Sequence, residues 1–392
     1  MRIIDIRELA VPLQGNIANA MVNFAAHTVS LVAVQTDVIR NGRPLCGIGF
    51  DSIGRFAQSG LLRERILPRL RNAPMAALLD DDGRRFDPAR VLALGLRDEK
   101  PGGHGDRACA MAAVELAFWD LNAKLDDEPA YVSIARHFGR AVDAEGVPVY
   151  AAGGYYYPDD HADAGLQRLR DEIARYRDLG YSRYKMKIGG AALATDLARV
   201  EAASSVAGDG QRLAVDANGR FDLDTALGYA RALEPYSLRW IEEMGDPLDY
   251  ELNRRITETY AGAVATGENL FAAAEVLNLL RYGGMRADLD IFQMDPGLCY
   301  GLTEYARIVQ MLEAHGFDRR NAHPHGGHLI NLHIAVGLGL GGCEAYPGVF
   351  QPFGGYPPEC AVGADRVRPT DAPGFGLEQK TALRPALAKL LG

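Results

Sequence analysis

Lys185 and Lys187 flank Met186 at the end of a short strand-like run, residues 182–188. On a strand, side chains at i and i+2 share a face, so the two ammonium groups point the same way, roughly 6.6 Å apart. Like charges that close repel, so either an acidic partner sits beside them or one lysine gives up its proton. The competing reading is a solvated edge strand, where lysine is common. Carboxylates then recur downstream, each closing an apolar run: Asp216, Glu242, Glu268 and Asp295, with His325 ending the series. From Lys187 onward, successive members lie 26 to 30 residues apart, about the length of one strand, one helix and two loops. Helical patterns fill the gaps, for example at residues 224–233 and 272–280. Strands alternating with helices at this period predict an α/β fold with a parallel, TIM-like barrel. The strand C-termini of such a barrel converge on one mouth, which would gather these charges into one site.

Asp216, Glu242 and Glu268 offer an all-oxygen donor set from consecutive strands. That set suits a hard cation, one Mg²⁺ per subunit with Mn²⁺ as the alternative, and leaves coordination positions for water and a substrate carboxylate. A network of helix-capping acids is the structural alternative. Glu243, adjacent to Glu242, is expected to point away from the mouth's interior. His323, His325 and His328 invite a zinc reading, but their evenly spaced partners are carboxylates. A cation and a second ammonium beside Lys187 would pull its pKa from near 10.4 toward the roughly 7–8 useful to a base at neutral pH. Lys187 could then remove a proton α to a carboxylate. An Asp295–His325 dyad would fix the imidazole tautomer and raise its pKa, making His325 a candidate general acid.

The elements that must hold these groups divide the chain. Residues 2–9, 28–38 and 42–50 read as strands, the last two as a hairpin; 52–70 and 106–125 read as helices. This α+β texture gives a capping domain over 1–145. The alternating part, 146–350, runs from a first barrel strand at 147–151 to a last at 343–345. The Gly- and Pro-rich segment 351–392 ends in a helix at 380–391 and is expected to pack back on the first domain. Residues 99–105, with Lys100 and His104 among glycines, form a loop able to close over an anion. Tyr155, Tyr156 and Tyr157 follow a double glycine and either line a pocket wall or simply pack. Residues 337–342 match GxGxxG, but they follow a helix and precede a strand, the reverse of the dinucleotide motif.

Of the 392 residues, 48% are hydrophobic, and the net charge is −9. The acidic balance argues against nucleic acid and anionic membrane surfaces. No apolar run reaches the roughly 18 residues of a membrane span, and the charged N-terminus is unlike a signal peptide. Five scattered cysteines without a CxxC read as reduced thiols. A cytoplasmic homo-oligomer acting on a small molecule is expected.

Lys185-Met186-Lys187, Val215-Asp216-Ala217-Asn218, Ile241-Glu242-Glu243, Gly267-Glu268-Asn269, Asp295 and His325 together resemble the enolase superfamily, in its mandelate racemase subgroup. The resemblance spans nearly the whole chain. It implies a (β/α)7β barrel under an N-terminal α+β capping domain completed by the C-terminal tail. Within the subgroup the chain is most similar to the D-tartrate dehydratase family, through residues 99–105, 151–158, 185–190, 245–250 and 324–328. That likeness implies Lys187 as base and His325 as the acid expelling a β-hydroxyl. It also implies Lys185 and Lys100 as contacts to substrate anions, with Asn218 and Glu344 near the ligand. Asp51 and Ile53 stand where tartrate-type enzymes carry amides. The expected activity is a Mg²⁺-dependent dehydratase of an acid sugar, D-tartrate to oxaloacetate first. A racemase or epimerase using the same Lys187–His325 pair, a Schiff-base aldolase on Lys187 and a non-catalytic sugar-acid binder are the rivals.

Overall fold

Three antiparallel strands open the chain: β1 (Ile3–Pro12), β2 (Thr28–Arg40) and β3 (Arg43–Phe50), in the order β1–β2–β3. The computed structural model describes residues 1–143, 145–158, 162–360, 362–363 and 365–392. The long helix Gly105–Leu125 lies directly on β3. Gly47 and Gly49 make that approach possible: a Cβ there would stand 2.1 Å from Ala117 O and 2.5 Å from Ala113 O. The sequence predicts one apolar stripe on this helix, yet residues 108–124 are all buried. The helix is sandwiched between its own sheet and the next domain, so it has almost no solvated face.

The helix expected at 52–70 starts only at Ser59 and continues in short turns to Arg71. Gly54, at φ +116°, breaks it. Residues 51–58 form instead a loop resting on the barrel, where Ser52 N donates to Gly297 O (3.3 Å).

The second region is a curled parallel sheet in an α/β arrangement. Its strands are β4 (Val147–Ala152), β5 (Tyr184–Lys187), β6 (Leu213–Asp216), β7 (Ile241–Glu242), β8 (Val264–Thr266) and β9 (Ile291–Phe292), paired in that order. β10 (Cys343–Ala345) pairs with the other edge of β4. Every residue of β5 and β6 is buried, as expected where helices cover one face and a barrel interior the other. Between β9 and β10 a parallel bridge joins Phe292 to Ala322. His323 N donates to Phe292 O (2.8 Å) and Glu344 N to Pro324 O (3.3 Å), linking the two edges.

The intervening helices fall where periodicity places them, at Leu223–Leu233 and Ala273–Tyr282. The GxGxxG segment closes the helix Leu329–Leu338, with Gly339 in the left-handed region. A Cβ at Gly341 would meet Arg320 O at 1.8 Å, so close packing explains this motif.

The tail returns to earlier elements. Val367 pairs with Val147 of β4, and Phe375 N donates to Asp120 Oδ1 (2.6 Å) on the long helix. The last helix, Arg384–Leu391, starts later than the predicted 380; Arg7 of β1 donates to Leu391 O (2.9 Å). All five cysteines are free thiols, and no described helix is long and apolar enough to cross a membrane.

Candidate active site

Register places the charges. Lys187 is the Cα partner of Asp216, and Asp216 that of Glu242, so three consecutive strands end at one level. Lys187 Nζ donates to Asp216 Oδ2 at 2.5 Å. Lys185 Nζ lies 2.6 Å from Glu242 Oε1, 2.8 Å from Glu344 Oε1 and 3.6 Å from Asp216 Oδ2. Both lysines are buried, which excludes the solvated-edge reading. Their repulsion is relieved by acids between and beneath them.

Glu242 is held from both sides, because Trp240 Nε1 (2.8 Å) and Gln293 Nε2 (2.9 Å) donate to its other oxygen. Glu268 Oε1 accepts weakly from the Asn218 and Asn269 amides, each at 3.4 Å. One donor atom from each of Asp216, Glu242 and Glu268 lies within 4.8 Å of the other two. Glu268 Oε2 and Asn218 Oδ1 are buried there without a hydrogen bond. Oxygen donors in an acidic cluster with unused lone pairs fit a hard divalent cation.

Glu243 departs from expectation. Its φ of +40° breaks strand alternation. Its carboxylate therefore lies beside the cluster instead of away from it, receiving Asn269 Nδ2 at 2.9 and 3.2 Å. Burial, then the nearby Glu268, Asp216 and Glu242 charges, push its pKa well above the usual carboxylate range. Burial and the Asp216 charge likewise raise the pKa of Glu242 to about 8, so protons on Glu242 and Glu243 relieve the crowding of these carboxyl groups, and a bound cation would take the place of those protons.

His325 stands at the other end of the cluster. Its Nδ1 faces Asp295 Oδ2 (3.1 Å); its Nε2 faces the Tyr346 hydroxyl (3.1 Å) and Glu268 Oε2 (3.4 Å). Burial opposes its charge, but Glu268 and the Asp295 bond outweigh burial and raise the pKa to about 10. Asp295 is fixed in turn by Asn331 Nδ2 (2.9 Å) and Gly297 N (2.8 Å). The lowering expected of Lys187 beside a bound cation concerns the metal-loaded site. Burial works against its ammonium, yet Asp216 holds it above its ordinary value.

The remaining histidines take no part. His328 is buried, its Nε2 3.0 Å from Ser52 Oγ, and desolvation lowers its pKa to about 4. His323 packs near Trp240, with ring centroids 6.0 Å apart, and burial lowers it to about 3.

A cavity of about 290 Å³ opens above the cluster, with Lys187, Asn218, Glu268 and His325 in its walls. Four expected contacts are not among its walls: Lys185 and Glu344 are fully buried, and Lys100 and Tyr157 lie elsewhere. Lys100 is exposed, its loop held by Arg107, which donates to Lys100 O (2.9 Å) and Gly102 O (2.6 Å). Tyr157 stacks under the Arg168 guanidinium (4.5 Å), and Tyr155 lines the cavity in its place. Of the two departures in the β3 loop, Ile53 lines the cavity, whereas Asp51 turns inward and accepts from Ser30 N (2.6 Å).

Tyr346, Asn331 and Arg55 also belong to the site and are absent from the sequence reading, which named Asn269 only as part of the Glu268 motif. Tyr346 carried a usable signal, since it lies two residues past Glu344, just beyond the end of the strand Cys343–Ala345. Arg55 carried none, because only the docking of the β3 loop brings it to the cavity.

Residues 168–383 match the family model "Enolase C-terminal domain-like". The chain belongs to the enolase superfamily, among its mandelate racemase/muconate lactonizing enzyme-like members. It is 29% identical over 240 residues to an arabinonate dehydratase of Saccharolobus solfataricus, covering 60% of each chain. It is 32% identical over 237 residues to a 3,6-anhydro-alpha-L-galactonate cycloisomerase of Streptomyces coelicolor, again covering 60% of each. The matched region thus spans about 60% of those curated relatives. A solved racemase from Streptomyces coelicolor A3(2) with bound magnesium shares the fold, with TM-score 0.75, 24% identity and 99% of each chain covered. So does an L-talarate/galactarate dehydratase from Salmonella typhimurium LT2, at TM-score 0.73 and 21% identity over 95% of this chain and 88% of the other.

Proposed function

We propose that this protein is a Mg²⁺-dependent dehydratase of small acid sugars. The observation that carries the reading is the placement of two proton-transfer groups at opposite ends of one acid cluster. Lys187 pairs with Asp216 at one end, and His325 contacts Glu268 at the other. Asp216, Glu242 and Glu268 would hold the ion, one per subunit with Mn²⁺ as substitute; bound there, it supplies positive charge that acidifies the α-carbon of a substrate carboxylate.

The chain's own residues do the rest. Lys187 accepts the α-proton as a neutral amine, and commitment of Asp216 to an ion would remove the partner that keeps it protonated. The electron pair of the broken C–H bond forms the α,β double bond. The β C–O bond breaks, and His325 delivers its proton to the departing hydroxide, so water leaves. The enol product then ketonises to a 2-keto-3-deoxy acid. Asp295 holds His325 through Nδ1, which leaves Nε2 as the donating atom. Lys185, buried and sharing its charge between Glu242 and Glu344, would turn toward the substrate carboxylate once an ion takes up Glu242.

D-Tartrate, giving oxaloacetate, is the first substrate to test, on the strength of the sequence stretches around Lys100, Tyr157 and His325. The same reading takes the bridged segment at Ala322 as the strand completing a (β/α)7β barrel. It takes residues 1–145, 146–350 and 351–392 as capping domain, catalytic domain and returning tail. A racemase remains the second reading, favoured by the same Lys187–His325 pair, which could exchange an α-proton between faces.

The experiment is a screen of Mg²⁺-loaded protein against aldaric and aldonic acids in D2O. A dehydratase gives a 2-keto acid, trapped by semicarbazide, with deuterium at C3 and no epimer. An α-deuterated epimer without keto acid would instead establish the racemase.

A further inference from the structure

The cavity has two unlike sides. Beneath lie the acid cluster and its proton-transfer groups. Across from them stands a wall from the capping domain, including Met21, Val22 and Phe24 between β1 and β2, and Ile53 and Arg55 after β3. That wall is apolar except for Asn19 and Arg55.

The half-buried Arg55 is unlike the arginines around it. Arg65, Arg69 and Arg107 all converge on the Glu99 carboxylate. Among the described residues, Arg55 has no carboxylate within ion-pair distance. It is nevertheless fixed in place. Arg55 Nη2 donates to Asn269 Oδ1 (2.8 Å), and its guanidinium carbon lies 4.7 Å from the Phe271 ring centroid. The Asn269 amide cannot turn away, because its Nδ2 is committed to Glu243 and Glu268. Phe271 adds a cation–π contact that restrains the guanidinium. A guanidinium carries five N–H donors, and among the described residues only Nη2 of Arg55 makes a hydrogen bond. The rest form a preorganised fork at the cavity wall, a geometry matched to a planar carboxylate.

We infer that Arg55 binds the distal carboxylate of the substrate, so that the site selects dicarboxylic over monocarboxylic acid sugars. The inference rests on the dehydratase reading for the near carboxylate and adds the identity of the group at the far end. Ile53, also in that wall, offers no hydrogen bond to a terminal hydroxymethyl group, so a monoacid gains there only a neutral hydrogen bond from Arg55, weaker than the bidentate charge-assisted pair of a carboxylate. This assignment moves the distal contact from Lys100, where the sequence resemblance places it, to the β3 loop.

The test compares matched acids on the Mg²⁺-loaded, full-length protein: galactarate with galactonate, and D-tartrate with D-threonate. Wild type should prefer the diacid of each pair. Arg55→Met should lower kcat/KM on diacids roughly 30-fold or more, chiefly through KM, and change it less than about 3-fold on monoacids. Arg55→Lys, which keeps the charge but not the fork, should restore part of the preference. Equal losses on both classes would overturn the inference and make Arg55 a clamp that positions Asn269. Binding of unreactive succinate and butyrate, read by calorimetry, separates this result from the reaction class. If wild type dehydrates nothing but still favours succinate, and Arg55→Met abolishes that preference, the dehydratase reading falls and the Arg55 assignment stands. Succinate and butyrate binding alike to wild type would overturn it.

Discussion

Across the cavity, the barrel wall and the capping wall are built by different means. On the barrel side Lys185, Asp216, Glu242 and Glu344 have no exposed surface, and every charge touches another. Their positions follow from strand register, and each is over-determined by two or more partners. On the capping side Met21 is 55% exposed and Arg55 half-buried, and both sit on loops. Their positions follow from how one domain docks on another. A rigid, crowded charge array suits bond-making, which fails when geometry drifts by an ångström. Loops carried by a separate sheet suit recognition, because they can change without disturbing that array.

If this division is right, substitutions on the barrel wall abolish turnover, and those on the capping wall redirect it. Glu268→Gln should give the largest effect. It keeps the shape but removes a cation ligand, so kcat should fall on the order of 10⁴-fold or more with unchanged circular dichroism. Metal content, measured on the purified variant, should fall in parallel, and chelation of wild type with EDTA should reproduce the loss until Mg²⁺ is restored. Full activity after chelation would remove the cation from the account.

His325→Asn should cost about 10²–10⁴-fold in keto acid formation, the range for a lost general acid. The distinctive readout is exchange. Lys187 can still take the α-proton, so solvent deuterium should enter unreacted substrate, as followed by proton NMR. Loss of both exchange and product would mean that His325 positions the substrate rather than protonates the leaving group.

The same division explains what the sequence could reveal. The strand-end charges were legible because a fixed period of strand and helix imposes a fixed spacing, and register then brings Lys187, Asp216 and Glu242 to one level. Glu243 was misjudged because alternation assumes extended backbone, and its positive φ turns the carboxylate back toward the cluster. The helix over 52–70 was drawn too long because its composition is helical, but Gly54 and the contact of Ser52 with Gly297 and His328 hold 51–58 as a loop. Arg55 and Ile53 ride on that loop. Their approach to the cavity is a contact between residues more than 200 apart in sequence, as in Arg55 with Asn269, and no local pattern announces it.

The joint between the two regions should show up as stability, not chemistry. Glu115, from the middle of the capping helix, accepts from Leu302 N and Thr303 N (2.9 Å each) at the start of the barrel helix Leu302–Ala314, from the Thr303 hydroxyl, and from Trp119 Nε1 (2.8 Å). It caps a helix across the domain boundary. Glu115→Ala leaves buried donors without acceptors and should lower unfolding free energy by about 2–4 kcal/mol in urea titration. Its kcat per folded molecule should stay near wild type. A selective loss of activity at full stability would mean that the joint transmits geometry to the site.

The smallest effect is expected at Lys100, and it tests the capping side most sharply. Its loop is anchored by its neighbours, not by its own side chain. Glu99 holds Arg65, Arg69 and Arg107, and Arg107 in turn donates to the Lys100 carbonyl. His104 Nδ1 lies 2.9 Å from the Tyr300 hydroxyl, pinning the loop's far end. Lys100→Met removes none of these contacts, because the backbone carbonyl survives the substitution. The exposed ammonium it deletes acts on the cavity only through solvent, where ionic strength screens it. The change in kcat/KM should therefore stay under about 3-fold on diacids and shrink further in 0.5 M salt, a screening length of a few ångströms. The diacid preference should persist in Lys100→Met and collapse in Arg55→Met. The reverse pattern, with Lys100→Met losing diacids selectively and Arg55→Met keeping them, would transfer distal recognition to the Gly-rich loop and require that loop to move inward when substrate binds.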